Sequence, residues 1–447
     1  MRRLTMLKRV TLLAAVFTLP SFNLVADQYH YKNIINGAKA AGLGGAYIAV
    51  ADDLTAMLYN PAGLSFSTVD STASMNVLSW EKTEFSNVFS DDSDFVRDSF
   101  AVVPGFFAFR AKRGQWDFGL SFAVTDYSKE RTSKDVVIES PSLVENQYIF
   151  IDLDNSAYQF GGSLSYKASE QLSFGASLYV QYQEFISLQG SGIASKLTLP
   201  DNSQVDLGFN ASRRISDTHV TLQPILGVLW QQDNLSLGAK FSYNFDLRRD
   251  YDVISTIYVA SSGALPDTIQ PISRITAGSE SKQKFPYEIG IGAAYKMGKF
   301  TLSADVNYFS KVSSDNERVP EVETPITRTI EATVNWAVGV EYQLSATSAI
   351  RFGLFTDNAN SKVDPNIDFQ RIEAIDHIGL STSLKTSVFD KQLTVGMYYK
   401  YGTGQVRFAD IRAVENIVGI PLYPDNGTND TADATKQTAV MFLSLDF

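Results

Sequence analysis

The sequence predicts an all-β fold, a 14-stranded antiparallel transmembrane β-barrel with a small, partly helical N-terminal hatch. Three observations predict it: long segments of alternating apolar and polar residues, connections that alternate between short and long, and a last segment that ends in phenylalanine. Because alternate side chains leave a strand on opposite faces, each such segment has one apolar and one polar face. Strands of this kind can separate lipid from a polar lumen.

Residues 1–26 are predicted to be a signal peptide. The n-region is basic through Arg2, Arg3, Lys8 and Arg9. The apolar run that follows, residues 10–19, is too short to span a bilayer, and Leu24 and Ala26 suit the −3 and −1 positions of a cleavage site. We therefore expect export with cleavage after Ala26; the alternative is an uncleaved anchor.

Composition excludes several classes of function. Removal of the n-region leaves 34 basic and 49 acidic residues, a net charge of −15, which argues against a nucleic-acid partner. Cysteine is absent, so disulfides and zinc–sulfur sites are excluded. The three histidines, His30, His219 and His377, lack metal-binding spacing, and we expect no enzyme, no metal site and no cofactor.

Residues 27–70 lack the strand alternation and are predicted to form the hatch. A small-residue stretch, residues 42–47, is followed by Asp52 and Asp53, which stand where an N-cap would precede Leu54, Met57 and Leu58 at helical spacing. Asn60–Pro61 then stops the short helix, because proline lacks an N–H donor and restricts the residue before it. A fourteen-stranded lumen is wide enough to need a plug, and this segment is the natural one.

The barrel is predicted from residue 71 to residue 447. Its clearest strands run about eleven to thirteen residues, longer than the five or six of soluble strands and matched to a tilted membrane strand. Six short turns lie near residues 111–114, 168–171, 231–234, 296–299, 345–348 and 386–391. Seven long loops lie near residues 81–99, 127–155, 185–217, 247–284, 310–333, 358–373 and 402–435. This alternation gives fourteen strands, with both termini in the periplasm.

The last strand and the hatch resemble a known family. Apolar residues alternate up to the terminal Phe447, which is similar to the assembly signal of outer-membrane barrels. The hatch segment resembles that of the FadL/TodX family of outer-membrane channels for long-chain fatty acids and aromatic hydrocarbons. The motif residues are Gly42, Gly44, Gly45, Asp52, Asp53, Asn60, Pro61 and Ala62. The motif match covers about 23 residues; barrel length and the terminal Phe extend it over most of the chain.

The resemblance implies a route for ligand. Ligand first settles in a groove between the third and fourth extracellular loops, then moves to a pocket beside the N-terminus of the hatch. It leaves sideways through a kink in strand three. By strand count that strand is residues 114–126, and Gly119 is the interior residue that could relax its ladder.

Candidate ligand-binding residues lie in three places. The N-terminal ones are Tyr29, Tyr31, Ile34 and Ile35, and the apolar lumen positions are Tyr179, Ile225, Leu229, Phe309, Phe355 and Tyr398. The lumen positions either bind ligand or pack against the hatch. The predicted groove residues are Ile186, Leu188, Ile193, Leu197, Leu199, Ile254, Ile257, Tyr258, Val259, Leu265, Ile269 and Ile272, which would otherwise represent loops packing on each other.

Two cations, Lys240 and Arg351, point to the lumen by the same alternation. Each either meets a ligand carboxylate or pairs with Asp305, Glu341 or the hatch aspartates.

Taken together, the sequence predicts a monomeric outer-membrane barrel of a Gram-negative bacterium that passively transports hydrophobic compounds. Long-chain fatty acids are the first cargo candidate and aromatic hydrocarbons the second. Further expected partners are outer-membrane lipid, lipopolysaccharide and the barrel-assembly machinery. The alternative is a structural or adhesion barrel with a sealed lumen; a general porin is disfavoured by the hatch.

Overall fold

The computed structural model describes residues 29–31, 33–88, 93–263, 268–276, 283–317, 326–362, 373–407 and 431–447. The predicted signal peptide and Leu265 of the predicted groove lie outside the described residues, as do the side chains of Ile257, Val259, Ile269 and Ile272.

In the described residues the hatch contains two short α-helices and one 3₁₀ helix, and most of the other described residues are in β-strands. The helices are α1 (Ala38–Gly42), α2 (Ala56–Tyr59) and the 3₁₀ helix Pro61–Phe66. The strands are β1 (Ser71–Phe85), β2 (Phe95–Arg113), β3 (Trp116–Glu139), β4 (Leu143–Lys167), β5 (Leu172–Thr198), β6 (Gln204–Gln232), β7 (Leu235–Ser242), β8 (Phe245–Gly263), β9 (Thr268–Thr276), β10 (Glu288–Met297), β11 (Phe300–Phe309), β12 (Val312–Glu317), β13 (Ile326–Ile330), β14 (Thr333–Gln343), β15 (Ala349–Asp357), β16 (Glu373–Val388), β17 (Lys391–Arg407) and β18 (Thr431–Asp446).

One antiparallel sheet closes on itself to form the barrel, which confirms the predicted all-β fold. The first strand pairs with the last, with Thr72 opposite Asp446. In the described part of the chain this sheet has sixteen strands, of which fourteen, the predicted number, form the ring that the β5–β6 pairing closes. The difference is the hairpin of β8 and β9. β8 pairs with residues 205–222 of β6, whereas residues 225–232 of β6 pair with β7. β12 and β13 form a separate two-stranded sheet.

Strands β3 to β6 continue far beyond the length that a bilayer requires. They contain 24, 25, 27 and 29 residues, about twice the length of a membrane-spanning strand. The predicted long loops 127–155, 185–217 and 247–284 are therefore wrong over most of their length. On the outer face of these extensions charged pairs appear among the apolar side chains, as in Lys129–Asp154 and Arg131–Asp152. The change of chemistry marks the end of the membrane belt and not the end of the strand.

The outward face of the lower barrel is a continuous apolar belt. Leu120, Phe160, Ile291 and Leu380 are each more than half exposed. Such side chains are stable at the surface when the surrounding medium is lipid. Aromatic pairs stand near the ends of strands at the short-turn side, as in Trp116–Tyr166, whose ring centroids are 4.6 Å apart. Among the described residues, the structure has no helix long and apolar enough to span a membrane.

Three apolar clusters of described residues fill the interior. Two lie between the hatch and the wall. The third, which we call the upper cluster, joins the strand extensions and consists of Phe85, Phe95, Val136, Ile149, Ile151, Leu153, Phe185, Ile215, Tyr251, Ile375, Val406 and Ala434. Of the predicted groove residues, Ile193 is buried, whereas Leu188, Ile254 and Tyr258 are exposed on the outside of the extensions. The described groove residues therefore do not share one surface.

The belt predicts different responses to charge at two sites on β3. Leu120 and Val137 are exposed to a similar degree, 56% and 58%, but Leu120 lies in the belt and Val137 in the extension. We expect Leu120→Arg to lower the free energy of unfolding in lipid by about 2–4 kcal/mol. Val137→Arg should change it by less than about 0.5 kcal/mol. Urea titration of both variants in lipid vesicles measures this, and equal losses would place the extension in the membrane.

Candidate functional site

The Asn60 side chain forms hydrogen bonds both within the hatch and with the barrel wall. Its Nδ2 donates to the carbonyl oxygens of Ile48 (2.9 Å) and of Val228 on β6 (3.0 Å). Its Oδ1 accepts from the backbone N–H of Ala62 at 3.3 Å. Pro61 takes the first position of the 3₁₀ helix, where an N–H would have no partner within the helix. The Asn-Pro-Ala motif thus fixes the end of α2 against the wall.

The hatch glycines meet two separate constraints. Gly44 and Gly45 have φ angles of +65° and +84°, which residues other than glycine rarely adopt. Gly42 ends α1 against β16, where an added Cβ would lie 2.0 Å from Ser383 Oγ.

The two hatch aspartates have different partners. Asp52 forms an ion pair with Lys39 at 2.7 Å. Burial alone would lower the pKa of Lys39, but the carboxylates of Asp52 and Glu341 outweigh it and raise that pKa. Asp53 accepts from the N–H and the hydroxyl of Thr55. The N-cap of α2 is Thr55, so the expectation that an aspartate occupies it is wrong, because Asp53 forms a local turn two residues earlier.

Small polar side chains of the wall bind the backbone of the hatch. The hydroxyls of Ser165 and Ser173 both donate to the carbonyl of Ala62, at 3.1 and 2.7 Å. Ser177 donates to the carbonyl of Met57, and Ser381 to that of Gly42. In the opposite sense, the Asp305 carboxylate accepts from the N–H groups of Tyr47 and Ile48, at 2.6 and 2.8 Å. Hatch backbone groups in the lumen are therefore satisfied from several strands at once.

Wall glycines bring the hatch backbone into direct contact with the strands. A Cβ on Gly175 would lie 2.2 Å from the backbone N of Ala62, and one on Gly353 2.3 Å from that of Gly44. Added Cβ atoms on Gly227 and Gly238 would meet Asn60 Oδ1 at 2.1 Å and the Ile48 carbonyl at 2.5 Å. Gly119 has a similar role, because its Cβ would lie 2.2 Å from Met57 Cε.

The N-terminal segment of the hatch, residues 29–31 and 33–36, runs along the wall. His30 Nε2 donates to the Ile375 carbonyl at 2.7 Å, and the ring of Tyr31 stacks on Phe309 at 3.8 Å. Asn33 donates to the Asp126 carboxylate at 3.1 Å, and Asn36 to the Val124 carbonyl at 2.9 Å. This segment therefore contacts both β3 and the opposite side of the barrel.

A cavity of about 350 Å³, here called the main cavity, lies between this segment and the wall. Its apolar lining includes Tyr31, Ile34, Ile35, Leu58, Phe285 and Phe309. Its polar lining includes Gln159, Gln181, Gln183 and Gln223. A second cavity of about 40 Å³ borders the same segment, and the two cavities share Asn33, Ile34 and Asp126 in their linings. The site is mixed in character, suited to a molecule with an apolar body and a polar group.

The candidate ligand residues divide between cavity and hatch. Tyr31, Ile34, Ile35, Phe309 and Lys240 line the main cavity, and Tyr29 lines the second cavity. The remaining apolar ones, Tyr179, Ile225, Leu229, Phe355 and Tyr398, are buried in the clusters between hatch and wall. These five residues lie at the level of the hatch, so they pack against it and line neither cavity. Packing against the hatch was the predicted alternative to ligand binding.

Both lumen cations are paired with carboxylates. Arg351 Nε lies 2.6 Å from Glu341 Oε2, which was the predicted alternative to ligand binding. Lys240 Nζ lies 2.6 Å from Glu288 Oε1, a partner that sequence reasoning missed. Glu288 is two residues from the position opposite Lys240 on β10, so the contact is a diagonal cross-strand pair that only the register reveals.

The backbone pairing between β2 and β3 is interrupted, and we call this interruption the β2–β3 separation. In the described residues their pairing runs from Arg113–Trp116 to Phe106–Ala123 and ends there. Just beyond, Pro104 of β2 has no N–H to donate, and the β3–β4 register shifts between Val124 and Asp126. The predicted relaxation at Gly119 is wrong, because Gly119 is regularly paired on both sides. The Val-Pro-Gly run before Phe106 was the missed sequence signal.

The separation is closed again at its outer end by side chains. Arg97 Nε of β2 lies 3.2 Å from Glu130 Oε2 of β3. Lys134 Nζ donates to the carbonyl of Asp94. Between these contacts and the last ladder bond lie Thr125 and Asp126, which line the main cavity. The main cavity therefore reaches the position where β2 and β3 no longer form backbone hydrogen bonds with each other. No group of three or more His, Cys, Asp or Glu residues in the described chain is arranged to hold a metal.

Solved structures of transport proteins share this fold. A FadL homologue of Pseudomonas aeruginosa superposes with a TM-score of 0.55 at 14% identity, covering 92% of this chain and 98% of its own. The toluene transporter TodX of P. putida gives 0.53 at 15%, covering 92% and 97%. The toluene transporter TbuX of Ralstonia pickettii gives 0.53 at 12%, covering 93% and 100%. The resemblance to FadL/TodX is thereby confirmed for the fold. No protein-family model matches the chain, and no curated protein does.

The close contact between hatch and wall can be tested with one methyl group. Gly175→Ala should force the Ala62 backbone away from β5, at a cost of about 1–3 kcal/mol. We expect faster proteolysis of the hatch and a new ion conductance in planar bilayers. The matched control is Gly162→Ala on β4, whose Cβ would meet nothing closer than 3.7 Å. Unchanged behaviour of both variants would show that the hatch is not seated through this contact.

Proposed function

We propose that this chain is an outer-membrane channel for the passive uptake of hydrophobic small molecules. The observation that carries the proposal is the main cavity, which borders the N-terminal segment of the hatch and extends to the β2–β3 separation. The hatch is hydrogen-bonded to several strands of the wall, so the barrel is poorly suited to act as a water-filled pore. A compact cavity that opens towards the lipid belt suits a cargo that prefers lipid.

The proposed route runs from the strand extensions to the lipid. The upper cluster is buried and apolar, and two of its members, Leu153 and Phe185, line the second cavity. Since the cavities share Asn33, Ile34 and Asp126, displacement of these side chains would join them. Cargo in the main cavity would then leave beside Thr125, between β2 and β3, into the lipid.

Two cargo classes follow from the sequence and the neighbours. Long-chain fatty acids are the first candidate, and single-ring aromatic compounds the second. A cavity of about 150 Å³ already binds benzene, so the main cavity has room for a substituted ring. An extended sixteen-carbon chain would need both cavities, with the passage at Ile34 open. The structural or adhesion alternative requires a lumen that stays sealed.

Filling the passage separates transport from the sealed alternative. Ile34 is half-buried and lines both cavities. We expect Ile34→Trp to lower the uptake of radiolabelled palmitate and toluene into proteoliposomes at least tenfold, because the ring occupies the shared volume. Thr68→Trp, at an exposed hatch position, adds the same bulk away from both cavities and is the control. Wild-type uptake no greater than that of empty vesicles would support the sealed barrel.

Closing the wall tests lateral release. Thr125 is the extra residue at the register shift, so its deletion, combined with Pro104→Val, should let β2 and β3 pair further. We expect slower uptake with retained binding of cargo by the purified protein. Deletion of Pro141, which is exposed in the turn between β3 and β4, is the control. Full uptake by the closed variant would mean that cargo passes the hatch instead.

A further inference from the structure

Four glutamines form a patch on the inner wall of the main cavity. They line the cavity from three neighbouring strands: Gln159 on β4, Gln181 and Gln183 on β5, and Gln223 on β6. Gln159 is directly opposite Gln181 in the β4–β5 ladder. Gln223 is a diagonal neighbour of Gln181, because it stands two residues from Thr221, the partner of Gln181 on β6. Long side chains at such positions reach one another, so the patch gathers several carboxamide groups at one place.

Two of these amides are uncommitted. Gln159 and Gln223 form no hydrogen bond with another described residue, and their amide atoms retain accessible surface. Because both side chains line the main cavity, that surface faces the cavity. A carboxamide presents N–H donors and a carbonyl acceptor, so exchanging its nitrogen and oxygen leaves both roles available. The patch therefore offers donors and acceptors together, without net charge.

The other two amides are partly committed. Nε2 of Gln181 donates to Thr125 Oγ1 on β3, and Nε2 of Gln183 donates to Asn155 Oδ1 on β4, each at 3.3 Å. Neither Oε1 atom accepts a hydrogen bond from a described residue, and both retain accessible surface. The two bonds fix the orientation of these amides, whose oxygens add acceptors to the patch.

The described lining holds few charges. Apart from two histidines, its charged side chains are Asp126, Lys240 and Glu288. Lys240, the one ammonium or guanidinium of this lining, is paired with Glu288 at 2.6 Å. Asp126 accepts from Asn33 at 3.1 Å. An anionic cargo would thus meet two carboxylates and an ammonium that is already paired.

We propose that the main cavity selects cargo whose polar end is an uncharged carboxamide, and that Gln159 and Gln223 bind it. This inference rests on the proposed uptake function and narrows its cargo. The cargo carbonyl would accept from a glutamine N–H, and the cargo N–H would donate to a glutamine oxygen. A hydrocarbon would displace water from the amides without replacing its hydrogen bonds, and an ionised carboxylate would bring no donor. The apolar body would contact Ile34 and the stacked rings of Tyr31 and Phe309.

Four probes of nearly the same shape test this selection. 4-Ethylbenzamide carries the amide, 4-ethylacetophenone keeps the carbonyl without N–H donors, 4-ethylbenzoate is charged, and 1-ethyl-4-isopropylbenzene is a hydrocarbon. We would measure their affinities for the purified full-length protein at neutral pH by calorimetry in mild detergent, correcting for micelle partitioning. We expect the amide to bind about fivefold more tightly than the ketone, the value of one hydrogen bond, and more tightly than the benzoate.

The outcomes separate this inference from the uptake proposal. An amide that binds no more tightly than the ketone, or less tightly than the benzoate, would overturn the inference. Binding of the hydrocarbon in that case would leave the uptake proposal standing. Failure of all four probes to bind would overturn both.

A double variant assigns the effect to the two uncommitted amides. Gln159→Met with Gln223→Met removes both amides and nearly keeps the side-chain volume, so 4-ethylbenzamide affinity should fall about three- to tenfold. Hydrocarbon affinity should be retained, which shows that the cavity is intact. Gln171→Met, at an exposed position in the turn between β4 and β5, is the matched control. An undiminished amide preference in the double variant would overturn the role of Gln159 and Gln223.

Discussion

The structure depends on one constraint: backbone placed inside the barrel must find its hydrogen-bond partners in the wall. The hatch meets this constraint through Asn60, through serines that reach Ala62, Met57 and Gly42, and through Asp305. Wall glycines allow these short side chains to reach by removing the Cβ layer between strand and hatch. The outward face of the barrel does not have to supply hydrogen bonds to the hatch, so its side chains can be apolar. The small polar lumen face and the apolar lipid face therefore have independent causes.

The same independence explains which parts of the fold the sequence predicts. Two-residue alternation is a property of every strand with unlike faces, and it revealed the barrel wall and the non-alternating hatch. Alternation continues into the extensions, however, where Lys129 and Arg131 occupy the outward positions. Treating charge as the end of a strand therefore shortened β3 to β6 and hid the β8–β9 hairpin. The break between β2 and β3 depends on a missing donor at Pro104 and on a register shift, neither of which changes hydrophobicity.

The sequence predicted which side chains of the candidate site face inwards, but not how far along the barrel axis each one lies. Alternation correctly turned both Phe309 and Tyr179 inwards, yet Phe309 lines the cavity and Tyr179 is packed below it against the hatch. Height along the axis follows from the stagger of the strands, which no single strand encodes. For the same reason the Lys240–Glu288 pair and the Asp217–Arg249 pair were missed. Each joins residues that are distant in sequence and adjacent only through the register.

The wide distribution of hatch contacts also constrains the order of assembly. The bond from Ser381 to Gly42 joins residues 339 positions apart, and Thr72 meets Asp446 across 374. Contacts of such sequence separation form late, because closing long loops is entropically costly before the contacts stabilise them. The hatch precedes the barrel in the sequence, yet it cannot be fully bound until the last strands are in place. Ring closure and plugging are therefore expected to be a single final step, and a chain truncated before β18 should have a hatch that still exchanges its amide protons freely.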